Sequence, residues 1–319
     1  MSSSQRIIAV VGATGTQGGS VARAILGDRE RAFALRAVTR KPTSDRARAL
    51  ADQGADVVYG DADDLTSMTT AFAGAFGAYC MTDFWGGSGD PERERLQGVA
   101  MADAARAAGV QHVIWSTLED TRRYMALADD RMPTLLGKYK VPHFDGKGSA
   151  DEAFTRLGVP TTFYLTSFYW DNFLNFAGMG LRKDAHGELF LAMPLADKRL
   201  PGIAADDIGL CALGIFKDAG SRGQTIGVAG EHLTGAQMAD GLARAIGRPV
   251  RYVDVDPAVY RTWDFPAAPE LSNMLQFKRD FQHVFCGSRS VERSRQLNPA
   301  LQTFDEWLSR HGAALRGSL

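Results

Sequence analysis

Short apolar runs and stretches with helical periodicity alternate along the first half of the chain. Arg6–Val11 reads Arg-Ile-Ile-Ala-Val-Val, a continuous β-branched run of the kind that forms a strand buried on both faces. Gln17–Leu26 follows, with Val21, Ile25 and Leu26 on one side of a helix. Strands are then expected at Leu35–Thr39, Asp56–Tyr59, Ala78–Met81, His112–Ser116 and Thr161–Leu165. Helices are expected at Asp45–Gln53, Leu65–Phe72, Pro91–Ala108 and Ala150–Leu157. Thr43 or Ser44 can cap the second helix, and Pro91 suits the first turn of the fourth. Strands joined by helices in this way imply right-handed crossovers. The expected fold class is therefore α/β, a Rossmann doubly wound parallel sheet.

The pattern loosens after Phe168, where Phe168, Tyr169, Trp170, Phe173 and Phe176 cluster. Later segments predict a helix at Asp206–Phe216, a strand at Thr225–Val228, a helix at Thr234–Ile246, a strand at Val250–Val255 and mainly helix over 257–311. We expect residues 1–165 to form the Rossmann domain. Residues 166–319 are expected to form a smaller mixed C-terminal lobe packed against it, with some segments returning to the sheet. No Pro/Gly/Ser linker separates the two, and the cleft between them is the expected place for a substrate. The aromatic cluster either lines that cleft or packs the smaller lobe, and packing is the commoner use of such residues.

Composition narrows the partners. Among 319 residues, 36 are Lys or Arg and 37 Asp or Glu, a net charge of −1, so no basic footprint for nucleic acid or a membrane surface exists. Cys80, Cys211 and Cys286 lie far apart, which fits neither a metal set nor a disulfide framework and suits a reducing compartment. His112, His186, His232, His283 and His311 show no ligand spacing, so no metal is expected. No apolar signal core precedes the first strand and no apolar stretch is long enough to span a bilayer. A cytoplasmic protein is expected, its oligomeric state left open, a homodimer included.

Candidate chemistry begins directly after the first strand, at Gly12-Ala-Thr-Gly15-Thr-Gln-Gly18. In such a loop the first glycine permits the tight turn, the second lets backbone approach a pyrophosphate, and the third lets helix and strand pack closely. The following helix offers its free N–H groups and positive dipole end to phosphates, with Thr14, Thr16 and Gln17 adding donors. The second strand ends Thr39-Arg40-Lys41, and Arg40 stands 22 positions after Gly18, where an acidic residue would select NAD. A guanidinium suits the 2′-phosphate of NADP instead, with Lys41 and Ser44 assisting. Asp61 can face the adenine, while Asp63 or Asp64 can cap the next helix.

Together Val11-Gly-Ala-Thr-Gly-Thr-Gln-Gly-Gly-Ser-Val-Ala-Arg23, Val38-Thr-Arg40, Gly60-Asp-Ala-Asp-Asp64, Ser116-Thr-Leu-Glu119, His143-Phe-Asp-Gly-Lys-Gly148 and the ending Leu297-Asn-Pro…Phe304-Asp-Glu-Trp-Leu308 resemble the NmrA-like family, atypical relatives of the short-chain dehydrogenases/reductases. The resemblance covers nearly the whole chain. It implies a dinucleotide lying across Gly12–Gln17, with contacts from Arg40, Asp61, Ala62 and the loop Asp83-Phe84-Trp85. It also implies that Lys147 approaches the nicotinamide ribose and that the segment around Tyr169–Asn172 closes over the nicotinamide. Two departures stand out. Ser44 occupies a position that is basic in an animal member, and the 168–172 stretch is one residue longer.

Active members of the wider superfamily use Tyr-x-x-x-Lys, in which the Lys lowers the Tyr pKa and holds the ribose. No Tyr here has Lys four positions later: Tyr139 is followed by His143 and Tyr169 by Phe173. Lys147 is left to position the ribose, to move a proton itself, or to do neither. His143 shares its face if the segment is helical, although Gly146 and Gly148 suggest a loop or helix start, and a hydrogen-bonded structural role is the commoner one for such a histidine. Ser116 ends a strand near the expected cofactor. The missing Tyr favours an NADP(H) redox-state sensor that signals to a regulatory protein partner. The alternative is an NADPH-dependent reductase of a carbonyl, enone or quinone.

Overall fold

The computed structural model describes residues 5–87, 89–175 and 180–317. Phe176, part of the aromatic cluster, lies outside the described residues. The strands in chain order are β1 Arg6–Val11, β2 Phe33–Thr39, β3 Asp56–Tyr59, β4 Gly77–Cys80, β5 His112–Thr117, β6 Thr161–Leu165, β7 Phe168–Tyr169, β8 Arg182–Lys183, β9 Leu189–Met193, β10 Arg199–Ile203, β11 Thr225–Val228, β12 Glu231–Thr234, β13 Val250–Asp254 and β14 Arg289–Ser290. The helices are α1 Thr16–Leu26, α2 Asp45–Asp52, α3 Leu65–Phe72, α4 Pro91–Ala107, α5 Pro142–Arg156, α6 Asn172–Asn175, α7 Ala205–Lys217, α8 Gly235–Ile246, α9 Pro257–Arg261, α10 Ala268–Asp280, α11 Gln282–Gly287, α12 Val291–Leu297 and α13 Phe304–Gly317.

The large sheet runs β3-β2-β1-β4-β5-β6-β11-β14, and all its pairings are parallel. Parallel strands are buried on both faces, which is why their runs are continuous rather than alternating. Val21 and Ile25 of α1 pack one face with Ile208, Cys211 and Ile215 of α7. Met68 and Phe72 of α3, Met101 of α4 and Phe154 of α5 pack the other. Helix α7 sits so close to α1 that a Cβ on Gly209 would meet the Ser20 backbone at 2.2 Å.

Beyond β6 the chain builds two small mixed sheets, β12-β10-β7 and β13-β9-β8, with helices around them. Their shared core holds Phe168, Trp170, Phe173, Leu189, Leu242, Phe304 and Trp307. The chain returns twice to the large sheet, through β11 before the small sheets are complete and through β14 after them. Arg289 on β14 ties the parts together: its guanidinium makes a two-point pair with Glu119 at 2.5 and 3.0 Å and donates to the Thr166 carbonyl at 2.8 Å. Burial pushes the Glu119 carboxyl up, but Arg289 outweighs it and holds that carboxyl below the usual range.

The expected helix at Ala150–Leu157 needs correction: α5 begins at Pro142 and carries Lys147 in its second turn. Gly146 and Gly148 mark a close approach and not a loop. A Cβ on Gly146 would lie 2.8 Å from the Pro91 carbonyl oxygen, and one on Gly148 2.7 Å from the Asp120 nitrogen. The fully buried Asp145 anchors this helix, accepting from the Lys140 and Val141 nitrogens and from the nitrogen and hydroxyl of Thr121.

Candidate functional site

Strand order reverses between β1 and β4, and the crevice beyond the strand ends at such a switch point is where α/β sheets take ligands. The glycine loop occupies it. Gly12 turns with φ +68°, a conformation that L side chains rarely adopt, and its carbonyl accepts from the Gly15 nitrogen at 2.9 Å. A Cβ on Gly18 would sit 2.4 Å from that same carbonyl. Helix α1 follows Gly15 at its N-cap, with no side-chain cap and no acid in its first turn. The helices α2, α3, α4 and α8 are capped by Ser44, Asp64, Asp90 and Thr234, while α5, α7, α10 and α11 share the lack of an N-cap side chain but follow no glycine loop. The first-turn N–H groups of α1 are therefore left for an anion.

Thr14 is half-buried and Thr16 exposed beside this helix end. Gln17 reaches across the crevice, its Nε2 donating to the Tyr79 hydroxyl at 2.8 Å and to Ser116 Oγ at 2.6 Å. This brings Ser116, at the end of β5, into the loop's surroundings. Burial pushes the Tyr79 hydroxyl well above the ordinary phenol range, so it stays a neutral partner.

On the β2–β3 side, Arg40 and Lys41 are exposed at the end of β2. Ser44 is the α2 cap, its Oγ accepting from the Ala47 nitrogen at 3.3 Å. Arg46, which the pattern along the chain did not single out, reaches back from α2 and donates to the Thr14 carbonyl at 3.3 Å. A second cation thus stands by the loop although position 44 is not basic. Asp61 and Ala62 are half-buried after β3, and Asp61 Oδ1 accepts from the Asp63 nitrogen at 3.1 Å. Asp63 itself pairs with Arg93, which holds its carboxyl below the usual range.

On the β4–β5 side, a Cβ on Gly12 would meet the Met81 sulfur at 3.2 Å, so the loop abuts the end of β4. Lys147 arrives there from α5. Its Nζ donates to Thr82 Oγ1 at 2.5 Å and to the Thr82 carbonyl at 3.1 Å, and it pairs with Glu94 Oε1 at 3.1 Å. Glu94 also accepts from the Thr82 hydroxyl at 2.6 Å, while its Oε2 is buried without a partner. One turn earlier on α5, His143 Nδ1 meets Glu270 Oε1 of α10 at 2.6 Å, and the same oxygen accepts from the His143 backbone nitrogen at 2.8 Å. The His143 ring packs 5.1 Å from Trp85 and 5.6 Å from Phe84. Asp83 turns that loop by accepting from the Gly86 nitrogen, Phe84 is buried, and Trp85 is 41% exposed.

Tyr169 and Asn172 are half-buried just past β6, where Tyr169 packs against the large-sheet core and its hydroxyl lies 3.3 Å from Thr166 Oγ1. Phe168, Trp170 and Phe173 are buried core residues. The described residues contain no group of three or more His, Cys, Asp or Glu arranged for a metal, and no helix long and apolar enough to cross a membrane.

Known proteins share this architecture. The chain is 31% identical over 267 residues to the NmrA-like family domain-containing oxidoreductase malD of Malbranchea aurantiaca, covering 79% of this chain and 76% of that protein. It is 32% identical over 237 residues to the nitrogen metabolite repression protein nmr of Neurospora crassa, covering 70% of this chain and 45% of that protein. Crystal structures of NmrA, a negative transcriptional regulator, in complex with NADP and with NAD superpose with TM-scores of 0.77 and 0.78. Both are 25% identical and cover 95% of this chain and 94% of theirs. The match to the NmrA-like family itself runs over residues 4–308, and this chain belongs to that family.

Proposed function

We propose that the protein binds NADP(H) across Gly12–Gln17 and uses it to reduce a carbonyl, enone or quinone in the cleft between the large sheet and the smaller lobe. The observation that carries the nucleotide half is the uncapped N-terminus of α1 behind a glycine loop that Cβ atoms would fill. Arg46 against that loop and Arg40 at the end of β2, where no acid stands, support a 2′-phosphate and hence NADP over NAD. Lys41, Asp61, Ala62, Asp83, Phe84 and Trp85 would flank the bound dinucleotide, with Lys147, Tyr169 and Asn172 toward its nicotinamide end. When bound, the reduced nicotinamide supplies a hydride. The reductase use is supported by the relative named an oxidoreductase and by a positioned imidazole where a Tyr-x-x-x-Lys helix would carry its tyrosine.

One observation favours a second reading, a redox-state sensor acting on a regulatory partner: the Lys147 ammonium is already held by two hydrogen bonds to Thr82 and an ion pair with Glu94. Sensing requires unequal affinity for the two redox forms. Calorimetric titration with NADP+, NADPH, NAD+ and NADH, on wild type and Arg40→Ala, separates these readings. We expect Arg40→Ala to weaken NADP+ binding about tenfold, ~1.4 kcal/mol, and to leave NAD+ unchanged. Equal NADP+ affinity in the two proteins refutes the 2′-phosphate assignment, and no nucleotide binding at all refutes the proposal. A tenfold or larger preference between NADP+ and NADPH (~1.4 kcal/mol) without turnover of any substrate establishes the sensor.

A further inference from the structure

We propose that His143 is the proton donor of the reduction and that Glu270 positions it; this rests on the reductase reading above. Three observations converge on the ring. First, His143 and Lys147 are four residues apart on α5, so they lie on one face, a turn apart. Lys147 is tied to Thr82, the second residue beyond β4, and Gly12 abuts Met81 beside it. His143 therefore stands one helical turn from the crevice where the nucleotide loop meets β4. Second, the ring is fixed. Glu270 Oε1 accepts from both the His143 backbone nitrogen and Nδ1, which orients the imidazole and sets Nδ1 as its protonated nitrogen. Phe84, Trp85 and Phe144 pack around it with centroids 5.6, 5.1 and 4.8 Å away. Third, the side chain is buried, at 8% exposed, yet Nε2 has no hydrogen-bond partner among the described residues and so keeps its hydrogen-bonding capacity for a ligand.

A carboxylate on one imidazole nitrogen with the other nitrogen open is the arrangement of a general acid–base histidine. Tyr-x-x-x-Lys is absent, and because 142–156 is helical, His143-x-x-x-Lys147 puts a different acid one turn before the lysine. The reaction balances for an aldehyde. A bound reduced nicotinamide would supply the hydride for the new C–H bond at the carbonyl carbon, the C=O π pair would move to oxygen, and the imidazolium Nε2–H of His143 would protonate that oxygen. Aldehyde, NADPH and one proton give alcohol and NADP+, and solvent returns the proton to Nε2, while Glu270 holds the ring in place through Nδ1.

The experiment has two arms on the full chain. Histidine-labelled ¹⁵N NMR, with His143→Asn to assign the signal, reads the ring without turnover. Nδ1 of His143 is expected to carry a proton in both the neutral and the charged ring, the charged ring being the donor form, with an Nε2 signal that shifts on adding NADP+, and Glu270→Gln is expected to shift the tautomer balance of the neutral ring. NADPH oxidation is then followed with cinnamaldehyde, p-nitrobenzaldehyde and menadione. His143→Asn is expected to lower kcat roughly 100-fold or more on the aldehydes while NADPH affinity stays within about threefold. Glu270→Gln is expected to lower kcat and not to raise KM, and added imidazole is expected to restore part of the rate to His143→Gly, which a purely structural role would not allow. An Nε2 signal indifferent to NADP+, or His143→Asn turning over at the wild-type rate, overturns the proposal. Wild-type protein that reduces none of the three probes sinks the reductase reading, and the proton donor falls with it.

Discussion

Replacing Lys147 by Met tests how α5 is held as much as what the lysine does. Its ammonium is the only cation on Glu94 in the described hydrogen bonds and ion pairs, and Glu94 is 3% exposed with Oε2 already unpartnered. Removing one member of a buried pair leaves an uncompensated charge and costs about 3–5 kcal/mol. With an unfolding entropy of ~2.1 cal/mol/K per residue, a chain of this length loses roughly 4–8 °C in Tm. Removing both charges in Lys147→Met/Glu94→Leu recovers only part of the loss: no lone charge stays buried, but the Thr82 hydroxyl and carbonyl lose their partners and keep the double variant about 1–3 kcal/mol below wild type. Melting followed by circular dichroism, alongside NADPH titration well below Tm, reads both effects. A Tm for Lys147→Met within about 1 °C of wild type refutes the reasoning. If the drop occurs, a loss of turnover in Lys147 variants is no evidence of a proton-transfer role unless the double variant stays inactive as well.

Two other predictions rest on separate parts of the fold. Burial pushes the Asp151 carboxyl up to about 7, against hydrogen bonds from Thr117 Oγ1 and Trp115 Nε1 at 2.6 and 2.8 Å. Because this lies above the unfolded value, the group's contribution is fully present below about pH 4 and is lost as pH rises through about 7. Asp151→Asn should therefore raise Tm at about pH 8 and change it little at about pH 5; an equal effect at both would contradict the shift. Gly18→Ala places a Cβ 2.4 Å from the Gly12 carbonyl, whereas Gly19→Ala meets the Ala13 carbonyl at 3.3 Å. The first should cost about 1–3 kcal/mol and weaken NADPH binding well beyond the second, and similar calorimetric affinities for the two would exclude a loop this tight.

The parallel strands of the sheet centre were legible because burial on both faces demands continuous apolar runs, and Arg6–Val11 and Thr161–Leu165 stand where the pattern puts them. The glycine loop was legible because its neighbours on both sides are strand and helix. The start of α5 was not. Gly146 and Gly148 read as chain breakers, yet they serve contacts with Pro91 and Asp120 that come from elsewhere in the chain. The same limit hid Glu270, 127 residues from His143, and Glu119, 170 residues from Arg289. Periodicity reports which face of an element is buried and is silent about which distant side chain meets it. Arg46 is a lesser case: a basic residue in the first turn of α2 looks like a solvated charge until the fold brings Thr14 beside it.

The two late returns to the large sheet bear on how the protein is made. Strand β6 gains its outer neighbour only when β11, about sixty residues further along, pairs with it, and β14 closes that side later still. As the chain leaves the ribosome, the finished half of the sheet carries the bare edge of an apolar strand through the synthesis of those segments. Unpaired edges recruit other strands. A protein truncated after β6 would keep the whole glycine loop and still aggregate, and full-length chains should depend on chaperone cover until β14 has been translated.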